Sequence, residues 1–419
     1  AVENGYDVKS KKIDLDIAKK KIWETTAIGL PQVTGTVAYQ HTFKVQTMDL
    51  GYYLDAQSLT PGKDLYTEDI LAAMKKSPSI SLGVPNSTNW DITVSQLIFS
   101  GEYIVGLRAS KVFREMSEQN VTKSYSDIKE SISNSYFLAI VMDENVRILK
   151  ETQKVTDANL KELIAMGDQG LVEETGVDQV RIIKANIDNA VQSLERAALV
   201  SKNLLKFQMG LPIDNQIILS DSLAKYTNEV SFSSYLAETF DVTKTIDYKI
   251  LETGVKLQKL NWDREKTTFL PSIAGFYRHL EQLNAASFNF QPKDVAGINI
   301  SIPIFSSGMR NMKVQQAKLN FEKMKVSQQQ AVEGLNLKYQ TTFNDFQTSY
   351  ASYITNKQNM QLAKKIFDQT MIKYKEGVAS AMDLNTSENQ YLATQRDYFT
   401  ALNNLLTAKV KLDNLLSKN

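Results

Sequence analysis

Residues 90–113, Trp90-Asp91-Ile92-Thr93-Val94-Ser95-Gln96-Leu97-Ile98-Phe99-Ser100-Gly101-Glu102-Tyr103-Ile104-Val105-Gly106-Leu107-Arg108-Ala109-Ser110-Lys111-Val112-Phe113, change their period in the middle. Before Phe99 the side chains alternate, with Trp90, Ile92, Val94, Gln96 and Ile98 on one side, which predicts a strand with one apolar face. Beyond Gly101 the spacing becomes helical. Val121, Tyr125, Ile128, Ile132, Ser135, Ala139, Met142, Val146, Leu149, Gln153, Thr156, Leu160 and Leu163 follow steps of four and three. Proline is absent from 86–211 and again from 304–419, and glycine is sparse in both stretches. Because proline breaks helices and glycine weakens them, both stretches read as long, uninterrupted helix. In the second, Leu335, Tyr339, Phe343, Phe346, Tyr350, Tyr353, Lys357, Met360, Lys364, Phe367, Met371 and Tyr374 keep nearly the same rhythm. Sustained heptads predict coiled-coil packing. The polar members Ser135, Gln153, Lys357 and Lys364 predict a seam that meets water along one side.

The strand-to-helix junction occurs twice. Gly101 and Gly308, Tyr136 and Phe343, Leu160 and Phe367, and Gly170 and Gly377 stand 207 positions apart, while Leu30-Pro31 and Leu270-Pro271 stand 240 apart. The chain is therefore an internal duplication with an insertion in repeat 1 that falls in 46–89. Repeat 1 covers 1–209, with an upper helix 6–27, strands 31–45 and 90–99, a long helix 102–167 and a return helix 178–209. A linker region, 210–242, follows. Repeat 2 covers 243–419, with an upper helix 243–267, strands 271–283 and 296–305, a long helix 309–376 and a return helix 382–416. The insertion, with Thr60-Pro61-Gly62 and Ser77-Pro78, joins the two strands of repeat 1 on the side opposite the helices.

Composition removes other readings. Lys and Arg number 48 against 47 Asp and Glu, a formal charge of +1, so nothing draws the chain toward nucleic-acid phosphates. With no cysteine, disulfide scaffolds and thiolate zinc sites are excluded, and His41 and His279 alone supply little imidazole for a metal. No run of 18 apolar residues predicts a membrane-spanning helix, but a β-barrel spans a membrane with short alternating strands that leave no such run. The opening at Ala1, without methionine, suggests a removed leader. Ser126-Asp127-Ile128-Lys129 fits a Ser-x-x-Lys pattern by chance, in mid-helix and without companion motifs, and no phosphate-binding glycine loop or hydrolytic triad is present. The chain is expected to be no enzyme and to need no cofactor.

Lengths suggest an architecture. A helix from about Glu102 to Gly167 would run on the order of 100 Å at roughly 1.5 Å per residue. The chain must return over that distance after a turn near Gly170. Four strands cannot close a barrel, and an open edge cannot sit in lipid because its backbone groups would lack partners. If the strands span a membrane, several chains must each contribute four. Three would give twelve, though the sequence does not count subunits.

These features together resemble the TolC family of outer-membrane efflux and secretion channels. The resemblance rests on Gly29-Leu30-Pro31 and Phe269-Leu270-Pro271, on Gln96-Leu97-Ile98-Phe99-Ser100-Gly101 and Ile302-Pro303-Ile304-Phe305-Ser306-Ser307-Gly308, and on the turns Gly170-Leu171-Val172 through Val177-Asp178 and Gly377-Val378-Ala379 through Met382-Asp383-Leu384. It covers essentially the whole chain. It implies a mainly α fold in which a homotrimer forms a twelve-strand barrel in outer-membrane lipid of a Gram-negative bacterium, continuous with a long periplasmic helical barrel. It implies a passive duct, coupled through a periplasmic adaptor (membrane fusion protein) to an inner-membrane pump or ABC transporter. By the same resemblance the adaptor docks at Gly170, Leu171, Val172, Gly377, Val378 and Ala379, and the periplasmic aperture involves Asp178, Tyr374, Asp383 and Thr386. The arginine that often completes the family's gate has no equivalent, because Ala379 stands there, and Thr386 stands where the family has a second gate aspartate.

Plainer roles compete at several of these positions. Gly170 and Gly377 also suit helix C-terminal caps, and Asp178 and Asp383 suit N-caps. The heptad aromatics are packing residues, and Trp90 suits a membrane-interface belt. As a whole, the chain could instead be a structural coiled-coil scaffold, against which the four alternating strands argue. Small-molecule efflux and polypeptide secretion are equally compatible with the sequence.

Overall fold

A computed structural model describes residues 2–48, 80–170, 172–221, 223, 225–226, 239–285 and 291–416. The central part of the insertion, including Thr60-Pro61-Gly62 and Ser77-Pro78, lies outside them, as does Leu171. The elements in chain order are α1 (Tyr6–Ala27), β1 (Gln32–His41), β2 (Thr47–Met48), β3 (Ile80–Ser81), β4 (Asn86–Phe99), α2 (Gly101–Asp168), α3 (Glu174–Gln208), α4 (Ile246–Thr267), β5 (Ser272–Gln282), β6 (Asp294–Ser301), α5 (Met309–Lys375) and α6 (Ala381–Leu415). They divide between two compact units. One comprises residues up to 19, 112–258 and those from 320 onward; the other comprises 20–111 and 259–319.

The second unit holds an antiparallel sheet in the order β1-β4-β5-β6. Direct pairing places Val33 opposite Val94, Val94 opposite Tyr277, and Tyr277 opposite Ala296, so these share a face with Val37, Ile92, Ile273, Ile298 and Ile300. The other face carries Thr34, Thr36, Asp91, Thr93, Ser95, Arg278 and Asn299, interrupted by Phe276 and Leu280. β1 and β6 are the outer strands, each with one ladder of backbone groups left open within the chain. The Leu-Pro motifs show their purpose at the junctions: Leu270 and Thr267 press so closely on Gly101 that a Cβ there would clash, and Tyr103 lies against Gly29 and donates to the Thr26 carbonyl at 3.1 Å.

The strands differ from their expected ends. β1 stops at His41 instead of reaching 45, and β4 begins at Asn86, before Trp90. His41 pairs with Asn86, after which the ladder meets Pro85, which has no N–H to give. Thr42 instead donates to the Pro85 carbonyl at 2.7 Å, and a short second ribbon, β2 with β3, takes over. In repeat 2, β6 ends at Ser301, two residues ahead of Pro303.

The first unit is held by two apolar clusters along the helices. One joins Phe137, Ile140 and Val141 to Phe346, Tyr353, Phe399, Leu402 and Leu405. The other joins Leu149, Leu160, Leu163, Val180, Ile183 and Ile187 to Phe367, Met371, Tyr374, Leu384 and Tyr391. Both repeats therefore contribute to each core, and each fully buried side chain of this size contributes roughly 1.5–3 kcal/mol. The heptad members divide as their chemistry dictates. Lys357 and Lys364 are exposed, and Gln153 is half-buried with its amide on Asp188 at 2.7 Å. Ser135 departs from the wet-seam expectation: it is buried, because its hydroxyl turns back to the Ser131 carbonyl at 3.0 Å and needs no water.

Candidate functional site

The hairpin tips of the first unit carry the residues singled out from the sequence. Gly170 and Gly377 both hold positive φ, +73° and +72°, with open space where a side chain would be. Past α5, Gly377 donates to the Tyr374 carbonyl and Val378 to the Lys373 carbonyl at 2.8 Å, which is a Schellman closure with glycine at its left-handed position. Gly170 donates to the Gly167 carbonyl at 2.9 Å. The capping geometry is thus present at both glycines. Val378 is 74% exposed and Met382 73%, while Val172 and Ala379 are packed against the tip core. Lys375 pairs with Glu162, tying the end of α5 to α2.

The aperture candidates separate into different environments. Asp383 forms a capping box with Ser380: its backbone N–H donates to Ser380 Oγ at 3.1 Å, and its carboxylate receives the Ser380 N–H at 3.0 Å. Those bonds from Ser380 hold the Asp383 carboxyl below its usual range. Asp178 lies inside α3, beyond the cap position that its sequence suggested, and is paired with Arg181 at 2.9 Å on the same helix. Thr386 donates to the Met382 carbonyl at 2.8 Å within α6. Tyr374 is buried in the tip core, and burial, with the Glu173 carboxylate nearby, pushes its phenol up. The first turn of α3 lies against that ring at Gly176.

Two functional candidates were not found from sequence. Gly176 reads as a helix breaker, yet it sits buried in the first turn of α3. Glu388 is fully buried on α6, and among the described residues neither carboxylate oxygen has a hydrogen-bond partner. Burial pushes it up to about 7. Its signal was its place in the apolar rhythm of Leu384, Tyr391 and Leu402. Among the described residues no three His, Asp or Glu side chains gather as a metal site would require, and no helix is long and apolar enough to cross a membrane.

A duplicated long-helix hairpin joined to a two-faced antiparallel sheet defines the fold class of TolC-like outer-membrane channels. Comparison with known proteins agrees. Residues 257–418 match the family model described as "Outer membrane efflux protein". Outer membrane protein TolC of Salmonella enteritidis is 22% identical over 354 residues, 79% of this chain and 70% of that protein. The crystal structure of the outer membrane protein VceC from Vibrio cholerae superposes with a TM-score of 0.69 at 13% identity, covering 99% of this chain and 93% of VceC. The Campylobacter jejuni CmeC outer membrane channel gives 0.71 at 16% identity, covering 99% and 83%. The match to the outer membrane efflux protein family lies in residues 257–418, and over the whole chain the fold is that of the channels just named.

Proposed function

We propose that the chain is one subunit of a passive exit duct in the outer membrane of a Gram-negative bacterium, with a long periplasmic extension. The observation that carries this is the sheet: one face mainly apolar, the other mainly polar, and both outer strands open. β1, β4 and β5, at 10, 14 and 11 residues, are long enough for tilted transmembrane strands, for which about 9–11 residues suffice. Because the strands alternate in direction and number four, β1 of one copy can pair antiparallel with β6 of the next. Head-to-tail repetition closes such a ring without a mismatch. Three copies give a homotrimer with a twelve-strand barrel, apolar toward lipid and polar toward the lumen.

In this reading energy comes from an inner-membrane pump or ABC transporter, a periplasmic adaptor joins it to the hairpin tips, and the duct passes small molecules or polypeptides without chemistry. A coiled-coil scaffold has no use for a two-faced sheet, so that alternative is not favoured. Purified chain should migrate as a heat-sensitive trimer and give ohmic channels in planar lipid bilayers. A water-soluble species without conductance would overturn the reading. Docking is tested by crosslinking in cells from Gln169→Cys and Val378→Cys, which flank the positive-φ glycines in a chain that has no native cysteine. Capture of a periplasmic adaptor is expected from both positions.

A further inference from the structure

The two return helices begin differently. α6 starts with a capping box, whereas Glu173, at the N-cap of α3, makes no side-chain cap bond. The first turn of α3 lies instead against the other repeat. A Cβ built on Gly176 falls well inside van der Waals distance of the Tyr374 hydroxyl oxygen, while Tyr374 Cζ and Val172 Cγ1 both lie at an ordinary 3.5 Å. Tyr374 is a rigid ring, 9% exposed among the apolar residues of the tip, and has little freedom to swing aside. Glycine in a helix costs roughly 1 kcal/mol relative to alanine. Here that cost has a steric reason, since alanine would not fit beneath the hydroxyl.

We propose that Gly176 is the notch that seats Tyr374, fixing the first turn of the repeat-1 return helix against the last turn of the repeat-2 long helix and so setting the bore of the periplasmic aperture. The inference rests on the duct reading above. It makes Gly176 a positioning residue that acts through Tyr374, and it places closure on a steric fit between repeats. Asp178, the acidic candidate from the sequence, is instead paired with Arg181 along its own helix. The Tyr374 phenol stays neutral, since burial and Glu173 both disfavour its ionised form.

Single-channel conductance of the purified full chain in planar bilayers tests the notch, together with cellular uptake of a bulky hydrophilic antibiotic. Gly176→Ala should raise resting conductance and uptake several-fold. Adding Tyr374→Phe removes the only atom among the described residues that clashes, so the double variant should fall back to the level of Tyr374→Phe alone. A general structural role for Gly176 predicts no such rescue. Wild-type conductance in Gly176→Ala, or a leak that persists in the double variant, overturns the proposal. If Gly176→Ala does not reach the membrane, its recovery by Tyr374→Phe supports the clash and failure to recover refutes it. Failure of the duct reading looks different: the wild-type chain itself then carries no current, and the notch falls with it.

Discussion

The hairpin tip of repeat 2 is built from its own residues, while that of repeat 1 borrows from its neighbour. In repeat 2, Gly377 closes α5 and the Ser380–Asp383 box opens α6, all within seven residues. In repeat 1, Gly170 takes the same backbone conformation, but α3 opens on Glu173 without a side-chain cap and leans on Tyr374 through Gly176. A turn fixed by local hydrogen bonds holds its shape whatever surrounds it. A turn fixed by packing changes when its neighbour moves, so the repeat-1 tip is the one suited to respond.

The contrast can be broken most severely at Leu163, fully buried on α2 within the core that supports α3. Leu163→Ala should cost about 3 kcal/mol through the cavity it leaves. Hydrogen exchange should show the loss concentrated in the first turns of α3, with the Ser380 box little affected. An even loss across both tips would contradict the difference drawn here.

Next in size is Glu388, the buried acid on the repeat-2 hairpin. Its carboxyl rises from 4.5 to about 7 in the folded chain, so folding favours the protonated form. The stability this provides is complete below pH 4.5 and is lost as pH climbs from there to about 7. Glu388→Gln should therefore flatten that stretch of the thermal-unfolding profile and stabilise the protein at pH 8 by on the order of 2 kcal/mol. A profile as steep as that of the wild type would show that Glu388 is charged and solvated.

The smallest effects are at the caps themselves. Ser380→Ala should cost about 1 kcal/mol by removing one half of the box. Glu173→Ser, which offers repeat 1 a cap of the same kind, should gain roughly 0.5 kcal/mol. Both are measurable as shifts in denaturation midpoint. Equal responses at the two positions would mean that the tips are supported alike.

Much of this molecule is legible in its sequence because the signals are local. The change of period at Phe99–Gly101 marks the β4–α2 junction, and the empty stretches of proline mark α2 and α5. Pro85 was legible as punctuation, but its effect on β1 required knowing that His41 pairs with Asn86. The start of α3 was expected at Asp178 because aspartate caps helices, whereas α3 opens at Glu174, four residues earlier, supported by contacts from a segment almost 200 residues away in sequence. Gly176 was missed because a notch is defined by which helix lies opposite, which one-dimensional spacing does not carry, whereas Glu388 could have been found from its place in the apolar rhythm of α6.

For a subunit of the duct proposed above, the open ladders of β1 and β6 also govern how the protein reaches its membrane. Hydrocarbon offers no hydrogen bonds to an unmatched strand, so a solitary copy gains nothing by entering. On that reading entry follows encounter with other copies, and its rate should climb steeply with the amount of chain present. Below that threshold, nascent subunits would wait outside the lipid, and abundance itself would become the checkpoint for completing the proposed duct.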